Sequence, residues 1–209
     1  MNLFDLISIG ALIFNLAIGG FVFFTNTHRA QNQQFFGLSL NVAVWFVCNA
    51  LAQRSTNSEE AVFLIRLSSA VYIFLPVFFN FMRLAITGTE TRWMNIVWQS
   101  RLWIIGSALI ALLCQTPYFL QTVVLSPHSE FHAVPKPVYG HGFHLFAAYS
   151  ILVWASQIIL LIRDLKKSSG LRRAELQFTL LGLAISIFLG LVLVVIIPIL
   201  TGNYQSVQF

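Results

Sequence analysis

FHLFAAYSILVWASQIILLIRDLKKSSGLRRAELQFTLLGLAIS, residues 143–186, decides the fold. Its first part, Phe143 to Ile162, is apolar and free of Asp, Glu, Lys and Arg. The middle, Arg163 to Glu175, packs in Arg163, Lys166, Lys167, Arg172 and Arg173 against Asp164 and Glu175. From Phe178 the chain turns apolar again. An apolar run of about 20 residues spans a hydrocarbon core as a helix. A cationic loop between two such runs marks the cytoplasmic side of a membrane. The loop reads as a topology determinant at the headgroups, with contact to a cytoplasmic domain as the alternative.

Outward from there, the same pattern covers the chain. Six spans are expected, at about 3–24, 35–52, 62–86, 102–120, 143–162 and 178–200. Backbone polar groups must be satisfied inside lipid, so these are helices. The runs are too long and continuous for barrel strands. Loops one, three and five carry Arg29, Arg92 and Arg101 besides the five cations above; loops two and four carry only Arg54 and Lys136. That asymmetry places loops one, three and five inside and both termini outside. Trp93, Trp98 and Trp103 cluster where an inner interfacial belt is expected. The expected fold is an all-α polytopic transmembrane bundle with its N-terminus outside, one domain over residues 1–209.

Composition supports lipid as the main solvent. Of 209 residues, 57% are hydrophobic and 9% charged, and mean hydropathy is +0.79. A soluble surface needs about 25% charged residues. The net charge of +5 suits anionic headgroups, and no stripe suited to nucleic acid is present. Cys48 and Cys114 lie inside apolar runs and read as small buried hydrophobes. The first run lacks a basic start and a small-residue cleavage site, so it is a retained helix rather than a signal peptide.

Chemistry-bearing residues concentrate on the third span. At 100° per residue, Arg66, Ser69, Tyr72, Pro76, Asn80 and Arg83 share one arc, which should face the bundle interior. Arg66 either snorkels to the headgroups, or is a buried cation that holds an anionic ligand group or pairs with a carboxylate. Arg83, near the inner end, reads as a snorkelling side chain. Pro76 leaves the Tyr72 carbonyl without its helical donor. In the outer half, Cys48 and Asn49 join Arg66, Ser69 and Tyr72, with Gln115, Thr116, His144 and Tyr149 from spans four and five. They would line a pocket with apolar walls and few polar groups. The bland alternative is interhelical hydrogen bonding, worth about 0.6 kcal/mol each. His128, His132, His141 and His144, with Glu130 among them, read as exposed loop histidines; metal binding or pH sensing is the alternative. No cofactor is expected: there is no H-E-x-x-H, no intramembrane lysine for a Schiff base and no intramembrane histidine pair for haem.

Three stretches carry a family resemblance: THRAQNQQFFGLSLNVAVWFVCNALAQ (Thr27 to Gln53), AVFLIRLSSAVYIFLPVFFNFMRLAITG (Ala61 to Gly88) and SSGLRRAELQFTLLGLAI (Ser168 to Ile185). In that order the chain resembles the N-terminal seven-helix sensor region of bacterial membrane histidine kinases. The resemblance implies a multi-pass protein of the bacterial inner membrane, a seventh helix beyond TGNYQSVQF, a cytoplasmic output domain in cis and a homodimer. Neither a phosphoacceptor histidine motif nor ATP-binding boxes occur in these residues, so no enzyme activity is carried over.

The expected function is a membrane-embedded input domain that binds a small ligand among the outer halves of helices two to five. The candidate ligand residues are Arg66, Ser69, Tyr72, Asn49, Gln115 and Tyr149. The rival readings are a small transporter or channel, and a structural subunit packed through Gly182 and Gly190. Topology gives a direct test. A tag placed after Phe209 should be cut by protease added outside intact cells, and protection of that tag removes the six-span assignment.

Overall fold

The computed structural model describes residues 3–88, 93–125 and 135–191. Among them the chain is helical apart from one short hairpin. The elements are α1 (Leu3–Thr25), α2 (Ala30–Arg54), α3 (Ser58–Tyr72), α4 (Leu75–Thr87), α5 (Trp93–Gln99), α6 (Arg101–Cys114), β1 (Leu120–Val124), β2 (Lys136–Tyr139), α7 (Gly142–Lys167) and α8 (Gly170–Leu191). Three helical stretches are long and apolar enough to cross a membrane: Ala30–Arg54, Ser58–Thr87 and Gly142–Lys167. Ile9–Thr25 and Arg101–Cys114 are shorter apolar helices. Large apolar side chains such as Phe14, Phe21, Leu102, Leu109, Ile151 and Leu152 are exposed on helix faces, as lipid contact requires.

The chain divides into two compact units, Met1–Gln157 and Ile158–Phe209. In the first, α2 packs on α1, α3 and α4. The α1–α2 crossing is close because Gly19 faces Ser39, whose Cβ would lie 2.6 Å from an added Cβ. Asn15 Nδ2 donates to the Ser39 carbonyl at 2.8 Å, and Phe23 stacks on Phe36 at 4.9 Å. One apolar core gathers Ala30, Val77, Phe81, Ala85 and Ile96. A second, under the hairpin, gathers Ala61, Cys114, Phe119, Leu120 and Val123. Both cysteines are free and buried. In the second unit, Leu161, Leu176 and Leu183 are buried, and Gly170 takes φ +59° at the start of α8, a conformation that costs glycine little.

Several boundaries differ from the sequence expectation. Span four does not run to Leu120. Its helix stops at Cys114, because Pro117 disfavours helix at Thr116, and Phe119 N turns back to the Thr116 carbonyl. The apolar residues that follow form β1, paired antiparallel with β2 through a bulge between Leu120 and Thr122. Span three starts earlier, at Ser58, where the Asn57 side chain accepts from Glu59 N and Glu59 and Glu60 fill the first turn, favourable at the positive end of a helix. Span two likewise starts at Ala30 rather than near Phe35. The long fifth loop contracts to the residues between Lys167 and Gly170. Its cations ride on helix ends, where Lys166 and Lys167 complement the negative end of α7. The expected end of span six, at Leu200, lies outside the described residues, as do His128 and His132.

The α1–α2 contact makes a sharp prediction. Gly19→Leu should lower the melting temperature of the detergent-solubilised protein, at a cost of about 1–3 kcal/mol for overpacking. Gly20→Leu, where an added Cβ meets nothing within 4 Å, should leave it within about 0.5 kcal/mol.

Candidate functional site

Two polar constellations in the first unit take up four of the six candidate residues, Arg66, Gln115, Tyr72 and Tyr149. The first lies at the hairpin end. Arg66 leaves α3 and donates from Nη1 to the Gln115 carbonyl at 3.3 Å and from Nη2 to the Leu120 carbonyl. Gln115 answers with Nε2 on the Arg66 carbonyl at 3.3 Å. Ser58 Oγ donates to the Val123 carbonyl at 2.7 Å. One face of α3 thus holds both the end of α6 and the first strand. Arg66 does not snorkel: its head is spent on backbone carbonyls that the end of α6 and the bulged strand leave open. A cleft of about 360 Å³ opens here, lined by Ser58, Glu59, Val62, Arg66, Gln115 and Thr122 among others. Nε of Arg66 is buried and has no hydrogen-bond partner.

The second constellation sits at the α3–α4 junction. Pro76 occupies the first turn of α4 and cannot donate, so the helix tightens for one turn, with Phe74 N on the Val71 carbonyl at 3.1 Å. Side chains of neighbouring helices supply donors to this turn. Asn41 Nδ2 reaches the Val71 carbonyl at 3.3 Å, and Ser107 Oγ reaches the Ile73 carbonyl at 3.1 Å. Tyr149 Oη lies 3.1 Å from Ser107 Oγ and 3.3 Å from the Trp103 carbonyl, and its one proton is shared between these two acceptors. Trp154 Nε1 donates to Tyr72 Oη at 3.2 Å. The Tyr72 ring lies 6.0 Å from Trp45 and 6.1 Å from Phe146. The donors therefore meet the carbonyls on either side of Tyr72.

The pocket expected from the sequence is thus resolved into parts. Arg66 and Gln115 meet in the cleft; Tyr72 and Tyr149 belong to the mid-bundle network. Ser69 and Asn49 join neither, because Ser69 Oγ bonds the Ile65 carbonyl and Asn49 Nδ2 the Trp45 carbonyl, each one turn back on its own helix. Thr116 Oγ1 is likewise turned onto the Leu113 carbonyl. His144 is exposed and stands edge-on to Phe143. His141 is exposed beside Tyr118. Among the described residues no three metal-type ligands converge. Arg83 also does not snorkel freely: Nε and Nη2 donate to Asn80 Oδ1 at 3.2 and 2.9 Å, and Asn80 Nδ2 donates to Ser100 Oγ at 2.8 Å. Ser107 and Trp154 were missed because a lone serine or tryptophan in an apolar run carries no positional signal. The Asn57-Ser58-Glu59-Glu60 cap was a readable one.

A family model described as the N-terminal 7TM region of histidine kinase matches residues 7–208. The chain belongs to this family. No curated protein and no solved structure matches it significantly. The match covers nearly the whole chain, and with the apolar helices it makes this a multi-pass membrane protein. It is a sensing input region of a histidine kinase, distinct from the catalytic kinase domain.

The mid-bundle network of this sensor region predicts a graded response. Ser107→Ala removes bonds to both Ile73 and Tyr149 and should cost about 1–2 kcal/mol in thermal unfolding, near the upper range for interhelical bonds in membranes. Ser156→Ala removes only a bond to the Leu152 carbonyl on its own helix and should cost less than about 0.5 kcal/mol.

Proposed function

We propose that this sensor region binds a small ligand in the cleft between α3, α6 and β1, and that binding biases the packing of α3 and α4 for a cytoplasmic output domain in cis. One observation carries the reading: Arg66 and Gln115, from different helices, both line the same cleft and hold each other's backbone there. A ligand entering the cleft meets the bonds that position α3 against α6. The junction at Pro76 lies within the same helical stretch, with the Asn80–Ser100–Arg83 cluster beyond it. A ligand must prefer one packing to shift a population, and moving it from 1:99 to 99:1 takes about 5.5 kcal/mol of differential binding.

In this reading the chain crosses the inner membrane of a bacterium six times, with its N-terminus and the hairpin outside. The cationic ends of α7 and α8 lie inside, as the charge asymmetry of the loops supports. The Arg101 guanidinium over the Trp98 ring, 4.8 Å from its centroid, fits the inner interface. The lipid bilayer, a second copy of the chain and the output domain are the proposed partners. A channel or transporter needs a continuous polar path through the inner half, where the sequence offers Asn41, Asn80 and Gln157. Asn80 is bonded to Ser100 and Arg83, and Asn41 to the Val71 carbonyl. This leaves Gln157, buried and without a hydrogen-bond partner, as a single polar group rather than a path. That favours sensing over transport.

Arg66→Ala should abolish ligand-dependent autophosphorylation of the parent kinase while carbonate-resistant membrane insertion is unchanged. A variant that responds like the wild type removes Arg66 from the site. Solute flux through the wild-type protein in proteoliposomes would replace this reading with the transporter.

A further inference from the structure

We infer that the cleft takes a small amphipathic molecule with a single negative charge, which binds by drawing Arg66 away from the carbonyls of Gln115 and Leu120. This rests on the reading of the cleft as the ligand site. Arginine is a permanent cation, and among the described residues the partners of its head are two uncharged carbonyls. Its Nε is buried and unpartnered. Its head is half-exposed at the cleft and has gained no counter-charge from these partners. A carboxylate or phosphate oxygen makes hydrogen bonds roughly twice as strong as a neutral acceptor, so an arriving anion outcompetes either carbonyl.

The walls describe the rest of the molecule. Val62 and Phe63 line the cleft, and Phe63 is 57% exposed. An aromatic ring open beside an unneutralised cation fits a ligand with one charged end and an apolar body. Glu59 sets the charge limit. It lines the same cleft, two helical turns from Arg66, about 10 Å along the axis. One negative charge at Arg66 is accommodated at that separation. A second charge placed toward Glu59 is repelled. The pair therefore selects monoanions over dianions. A free carboxylate and the phosphodiester of a lipid headgroup share this chemistry.

The test uses the whole chain in phosphatidylcholine nanodiscs and titrates hexanoate, methyl hexanoate and hexyl phosphate by calorimetry. Hexanoate should bind, with the ester about tenfold weaker and Arg66→Gln losing about tenfold, as expected for a hydrogen bond to a charged group. Glu59→Gln is an exposed change that keeps the fold; it should tighten hexanoate about threefold and hexyl phosphate by more, from removal of a charge near 10 Å. If phosphatidylglycerol discs raise the melting temperature of the wild type but not of Arg66→Gln, and suppress hexanoate binding, the anion is a headgroup and the inference stands. Equal binding of acid and ester, lost in Val62→Trp, overturns the anion inference while leaving the cleft as the ligand site. Hexanoate binding that survives both Arg66→Gln and Val62→Trp overturns both readings. No binding of hexanoate together with no effect of phosphatidylglycerol also overturns the anion inference.

Discussion

Arg66 bonded to two backbone carbonyls is the constraint on which the architecture at the hairpin end depends. The end of α6 and the bulged first strand each leave a carbonyl that regular secondary structure does not satisfy. A single guanidinium has the reach and the number of donors to serve both. Without it, α3 would keep one polar bond to the hairpin, from Ser58, and one to the end of α6, from Gln115; the rest is apolar contact, which gives little drive to associate where lipid is equally apolar. The same bonds keep the cleft open along one side of α3, because the arginine head bridges its neighbours rather than filling the space between Val62 and Thr122.

A related logic governs the middle of the bundle. Pro76 removes a donor from the longest apolar stretch, Ser58–Thr87, and unsatisfied carbonyls in lipid are costly. Asn41 and Ser107, on α2 and α6, meet carbonyls around that turn, and Tyr149 and Trp154 on α7 extend the network to Ser107 and Tyr72. A proline in one helix has thereby become the point at which three others are registered. The junction keeps near-helical backbone angles, with Ile73 at φ −66°, ψ −16° and Phe74 at φ −85°, ψ −13°. It is a local tightening whose neighbours determine its cost, the kind of element that two packings can share.

Much of this was legible from residues alone. Apolar length fixed the first and seventh helices closely, since α1 runs Leu3–Thr25 and α7 contains the expected 143–162. The family was legible from three ordered stretches. The hairpin was not, because Leu120 to Val124 continues the apolar character of the helix before it, and its partner strand lies beyond Pro135. Only the β-branched Thr122, Val123 and Val124 hinted at it. Helical spacing put Arg66 and Tyr72 on one arc of α3, where one meets the end of α6 and the other meets Trp154. It put Ser69 on the same arc, and depth along the second span put Asn49 beside it; each of these short polar side chains bonds the carbonyl a turn back. Periodicity gives the face a residue occupies and not the acceptor it chooses. For the same reason Arg83 read as a residue reaching for headgroups, whereas Asn80 is closer to hand.

Cys114 lies fully buried at the last residue of α6, beneath Phe119, Leu120 and Val123, and Cys48 is buried elsewhere on α2. A thiol in that place is shielded from maleimides and oxidants for as long as the strands stay seated, since such reagents need contact with a thiolate. The speed at which this sulfur is modified would therefore measure how often the first strand leaves its seat over the end of α6.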